Sequence, residues 1–193
     1  MDLHLIEPEA NKPFLANPDQ RNKLVGAFMA FEFVMKVTAY GLGLHIFEIG
    51  SDIDMYDNNE QALNFRVFII LGTWNAVFGL LACLKYPFDG KKFYVNDIFF
   101  AVQLVADLFC EVAFYKDLSY FSHAFNGFIL ARAIIVILYV VAEHINLLIS
   151  CYTVYTEYAK YIMVHVCCCI LFALASGSML VLNIIILDKI IAK

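Results

Sequence analysis

The sequence predicts an all-α fold, a polytopic transmembrane helical bundle of four or five spans with short loops, on three observations. Hydrophobic residues make up 62% of the 193 and charged residues only 16%, with a mean hydropathy of +0.74, which leaves too little polar surface to coat a soluble domain. Five apolar runs approach the roughly 20 residues that a bilayer crossing needs: about Leu24–Ile49, Phe65–Leu84, Phe93–Tyr115, Ala124–Ile145 and Tyr161–Leu187. The segments between them leave no room for a separate soluble domain, so residues 24–193 read as one bundle behind a polar tail, residues 1–23.

The tail carries Asp2, Glu7, Glu9 and Asp19 with Pro8, Pro13 and Pro18, which makes it an extended polar segment rather than a basic, apolar-cored signal peptide. Orientation follows from lysine and arginine, which favour the cytoplasmic side of short loops. Lys12, Arg21 and Lys23 precede span one, and Lys85, Lys91 and Lys92 follow span two, whereas Asp52, Asp54, Asp57 and Glu60 fill the loop between those spans. The N-terminus is therefore expected inside and the acidic loop outside. Five spans then put Lys189 and Lys193 outside, against the rule, while four spans with both ends inside satisfy it.

Tyr86-Pro87-Phe88-Asp89-Gly90 has the turn chemistry of a tight connection between antiparallel helices. No proline interrupts a span, so no proline kink is expected. Gly72 with Ala76, and Ala173 with Gly177, place small residues four apart, a spacing that lets helix backbones approach closely.

Span three carries Asp107 and Glu111, where a membrane helix is expected to be apolar. A charge at that depth is costly and marks either a paired structural group or a functional site. At 1.5 Å of rise per residue, Lys36, Asp107 and Arg132 each lie about 18 Å from the inner face. Glu32 stands four residues before Lys36 and Glu111 four after Asp107, on the same helical faces. Glu32, Lys36, Asp107, Glu111 and Arg132 are thus predicted to form one intramembrane charge network, with one carboxylate in excess.

His144 and His165 fall toward one leaflet and His45 and His123 toward the other, an arrangement from which paired imidazoles bind b-type haem. Interfacial histidines that anchor helix ends are the competing reading. Cys83, Cys110, Cys151 and the run Cys167-Cys168-Cys169 lie within spans or on the inner side, so no disulfide-stapled outer domain is expected. Three consecutive helical cysteines point about 100° apart and do not converge on a metal, and no metal site is predicted. Cys83 and Cys151, near the inner interface, are candidates for acylation.

There is no basic block for nucleic acid, no nucleophile elbow, no phosphate loop and no zinc-protease helix. The chain is expected not to be an enzyme and to need no cofactor. By elimination, the sequence points to a structural or accessory subunit of a larger membrane assembly, with other membrane subunits and lipids as partners. Two alternatives stand beside it, an electron carrier with haem between paired histidines and a proton or ion conductor using the intramembrane carboxylates.

Overall fold

The computed structural model describes residues 17–49, 59–85, 93–118, 121, 126–157 and 162–192. They form five helices: α1 (Pro18–Ile49), α2 (Asn59–Lys85), α3 (Phe93–Asp117), α4 (Asn126–Glu157) and α5 (Ile162–Ile191). The start of α1 is written in Asn17-Pro18. The Asn17 side chain caps the first turn by accepting from Gln20 N at 3.4 Å, and proline takes the first helical position, where its missing N–H costs nothing. The polar tail is therefore shorter than 1–23, because residues 18–23 belong to the helix. The other helices also outrun their apolar stretches: α2 begins six residues before Phe65, and α4 continues twelve beyond Ile145. An apolar run marks what lipid requires, while backbone hydrogen bonding continues through the polar residues at either end.

Four helices, α1, α2, α4 and α5, contain segments long and apolar enough to cross a membrane: Lys23–Glu48, Glu60–Leu81, Asn126–Ile149 and Val166–Ile191. The protein is an integral multi-pass membrane protein. The acid-bearing helix α3 packs against α2 and runs antiparallel to it. Gln103 reaches the Asn75 carbonyl at one end of that pair, and Asn64 reaches Asp117 at the other.

The principal packing partners close a ring, α1 to α2, α2 to α3, α3 to α5, α5 to α4, and α4 back to α1. Side-chain pairing fixes direction. Phe47 meets Phe65 and Tyr40 meets Ile69, so α1 and α2 are antiparallel. Glu32 meets Asn146 and His45 meets Phe128, so α1 and α4 are antiparallel too. Glu111 meets Asn183 and Tyr115 meets Lys189, so α3 and α5 run parallel. Odd-numbered helices thus share one direction, and the start of α1 and the end of α5 lie at opposite ends of the bundle. Lys189 therefore lies at the opposite end of the bundle from Arg21 and Lys23. The lysine is held there locally: its ammonium is 3.0 Å from the Tyr115 hydroxyl and 4.6 Å from that ring's centroid.

Two apolar clusters fill the ring around its polar centre. One, toward the α1 C-terminal end, stacks Phe47, Phe68, Phe114 and Phe121 with Ile46, Ile129 and Ile186. Its rings pack tilted or edge-on, with centroids 5.0 to 6.1 Å apart, the geometry that aromatic quadrupoles favour. The other groups Ala39, Leu104, Val136, Tyr139, Val140, Phe172, Ala175 and Met179. Of the two small-residue pairs, Gly72 serves a helix contact, since a Cβ there would run into the Tyr40 ring of α1. Ala173 with Gly177 does not: Ala173 is exposed, and a Cβ on Gly177 would meet nothing within 4 Å. The Tyr86–Gly90 turn, most of the acidic loop and His123 lie outside the described residues, as do the side chains of Cys83, Cys151 and His165.

Candidate functional site

The inward face of each helix can be read from spacing alone. Glu32, Lys36 and Ala39 on α1, Asp107, Glu111 and Phe114 on α3, and Arg132, Tyr139, Glu143 and Asn146 on α4 recur at three, four or seven residues. That is the period of one helical stripe. These stripes meet inside the ring. Lys36 reaches from α1 across to α3, and Arg132 from α4 across to α3.

The five predicted residues are all brought into the interior, but in two clusters rather than one level. In the first, the Arg132 guanidinium donates to both oxygens of Glu111, from Nη1 at 2.9 Å and Nη2 at 2.5 Å. Its Nε donates to the Ala39 carbonyl at 3.1 Å. The guanidinium carbon lies 3.9 Å from the Phe114 ring centroid and 5.6 Å from that of Phe68. Asn183 of α5 adds a bond to Glu111 Oε2 at 3.3 Å. Arg132 is 2% exposed, as is Glu111, so this bidentate pair is fully removed from solvent. Fork-on-carboxylate geometry with cation–π contact is the arrangement in which arginine loses least on burial.

The second cluster lies about a turn away, toward the start of α1. Lys36 Nζ sits 2.8 Å from Asp107 Oδ2 and 2.5 Å from Glu143 Oε1. Asn75 of α2 donates to Asp107 Oδ1, and Asn146 of α4 donates to Glu32 Oε1 at 2.6 Å. Glu32, Asp107 and Glu143 are all buried. Arg132 therefore serves Glu111 and not Asp107, which corrects the single-depth arrangement. A depth estimate counted from the ends of apolar runs is only as good as those ends, and α4 extends well past its run.

Sequence reasoning missed Glu143, Asn75, Asn146 and Asn183. Glu143 carried a usable signal, because it lies eleven residues, or three turns, after Arg132 and so shares its face. The asparagines gave no signal beyond being polar residues inside apolar runs, and their meaning comes only from what faces them.

Between the two clusters is a small cavity of about 20 Å³, bounded by Lys36, Tyr40, Gly72, Asn75, Asp107, Glu111, Arg132 and Tyr139 among others. Among the described residues, no group of three or more His, Cys, Asp or Glu side chains has metal-binding geometry.

The two histidines with described side chains, His45 and His144, lie far apart. His144 Nδ1 lies 2.7 Å from the Val140 carbonyl, to which it donates, and Nε2 is 3.2 Å from Ser176 Oγ. Both of its ring nitrogens are occupied within the bundle. His45 packs edge-on against Phe128, about 24 Å along α4 from His144, and the predicted partners of the two, His123 and the His165 side chain, lie outside the described residues. Cys110 is buried against the Phe68 carbonyl, while Cys167 is exposed on α5.

At the α1 C-terminal end, Asn64 donates to Asp117 Oδ1 at 2.8 Å. Burial pushes the Asp117 carboxyl up to about 6, partly offset by the Asn64 hydrogen bond. No family model matches this chain, and no curated protein or solved structure matches it either.

Proposed function

We propose that this protein is a structural or accessory subunit of a larger membrane assembly, acting through its apolar flanks. The observation that carries the reading is the contrast between a tightly packed polar interior and an apolar exterior. Charged and amide side chains converge inside the ring around a cavity of about 20 Å³, room for one water and too small for an organic substrate. The outer faces present large apolar residues such as Met163, Leu148, Ile70 and Leu174. A groove of about 510 Å³ runs between α3 and α5, lined by Val102, Val105, Met163, Val164, Cys167, Cys168 and Leu171. Its shape and apolar lining suit a neighbouring transmembrane helix, whose association in lipid rests on close packing rather than on the hydrophobic effect.

The test is native electrophoresis of the gently solubilised protein beside a groove-filled variant, Val105→Trp. The reading predicts a wild-type species well above the 21.9 kDa of one chain and release of the monomer by the variant. Migration of both as lone monomers in the mildest detergents contradicts it.

A further inference from the structure

The Lys36 cluster is not electrically closed. Facing it are Glu32 and Lys36 from α1, Asp107 from α3 with Glu111 a turn beyond, and Glu143, Tyr139 and His144 from α4. From α2 and α5 the groups are Asn75, Ser176 and Asn183, none of which titrates. Glu111 is committed to Arg132, and the His144 ring is held by Val140 and Ser176. Arg21 and Lys23 lie eleven and thirteen residues before Glu32 and Lys36 on α1, about 16 Å and about 20 Å along the axis. Three buried carboxyls therefore surround one ammonium, which leaves two without a counter-charge.

We propose that this cluster is a proton-binding site, in which protons shared among Glu32, Asp107 and Glu143 stand where further cations would otherwise be required. Each proton comes from water, forms an O–H bond on a carboxylate oxygen, and returns to water on release. The inference does not depend on the subunit reading.

Two observations beyond the count of acids point to the same ligand. Glu143 Oε2 is buried and has no hydrogen-bond partner, and Asn146 Oδ1, three residues on along α4, has none either. An acceptor left bare in the interior is costly. A proton on Glu143 Oε2 turns one of these orphans into a donor for the other. Independently, on α2, Asn75 is 4% exposed and its Oδ1 also lacks a partner, while Asn75 borders the small cavity between the clusters. The cavity has room for a single water, which would donate to Asn75 Oδ1. A hydrated metal ion does not fit that volume, and the position between Asp107 and Glu143 is already taken by the Lys36 ammonium. The proton is the cation that needs no further space.

The experiment is infrared spectroscopy of the purified full chain in nanodiscs at pH 7, with and without ¹³C-labelled glutamate, in H₂O and D₂O. The proposal predicts a protonated-carboxyl band in the folded wild type that shifts with the glutamate label and falls by about half in Glu143→Gln, as expected for protons shared across coupled sites. Replacing sodium by choline in the buffer leaves it unchanged. Absence of the band at pH 7, a band indifferent both to the label and to Glu143→Gln, or a band abolished by sodium overturns the proposal. Should Glu143→Gln not fold, the label-dependent band of the wild type and its reduction in Glu32→Gln decide the question.

Discussion

The two charge clusters lie a helical turn apart in the same bundle, yet they handle burial in opposite ways. Around Arg132 charge is balanced one to one: each guanidinium nitrogen has an acceptor, two carboxylate oxygens and one backbone carbonyl, with an aromatic face beside them, and the bare atom there is the neutral Asn183 Oδ1. Around Lys36 the acids outnumber the cation, and acceptors on Glu143, Asn146 and Asn75 lack donors. The difference follows from the cations. Arginine presents a planar fork that closes both lone-pair edges of one carboxylate, so one partner suffices, whereas lysine is a point charge that draws several acids without saturating any. The Arg132 cluster accordingly reads as a clamp for α3, α4 and α5, and the Lys36 cluster as the part of the interior whose charge state is adjustable.

The contrast can be broken at its strongest point first. Arg132→Ala strands Glu111 as an unpaired buried charge, and loss of one partner from such a pair costs about 3–5 kcal/mol. The expected outcome is loss of the folded, monodisperse protein on size exclusion, with no recovery in a less denaturing detergent. Gly43→Ala probes the same clamp sterically. Its new Cβ would press on the Phe68 ring and lie 3.1 Å from Arg132 Nε, so destabilisation of about 1–3 kcal/mol is expected, read as a lowered thermal midpoint. Asp107→Asn tests the other cluster. It removes one acid from a group that has acids to spare while keeping an acceptor for Asn75, so a change of about 1 kcal/mol or less is expected. A loss as large as that of Arg132→Ala would remove the distinction between the clusters.

The smallest effect belongs to Asp117, the last residue of α3. Its folded-state carboxyl titrates at about 6, above the ordinary 3.8, because burial disfavours its charged form. Its stabilising contribution is therefore fully present below the ordinary value and is lost as pH rises through about 6. Thermal midpoints measured from pH 4.5 to pH 7.5 should show this decline in the wild type and a flatter profile in Asp117→Asn.

Much of this was legible in the sequence, for physical reasons that differ by element. The helical spans were visible because lipid demands long apolar runs, and Asp107, Glu111, Lys36 and Arg132 stood out because lipid tolerates so few charges. Helix ends were less visible: α1 takes in residues up to Pro18, and α4 runs to Glu157, where solvent satisfies the backbone and hydropathy no longer reports it. Pairing was the least visible, because it depends on rotation and crossing of helices. Arg132 could be assigned to Glu111 rather than Asp107, and Glu143 to Lys36, only once α3 and α4 were seen to face each other across the ring. Gly72 against Tyr40 and the idle Gly177 make the same point, since identical small-residue spacing serves a contact only when a neighbour is there.

The central claim, that one cluster balances its charges and the other does not, is tested most directly by neutralising one glutamate in each and comparing thermal stability at pH 7.5 in the same lipid nanodiscs. Glu111→Gln should lower the midpoint sharply, because Arg132 loses the carboxylate it is paired with. Glu143→Gln should leave it unchanged or raise it, because Gln still accepts from Lys36 and carries no surplus charge. Equal losses, or a greater loss in Glu143→Gln, would contradict the account.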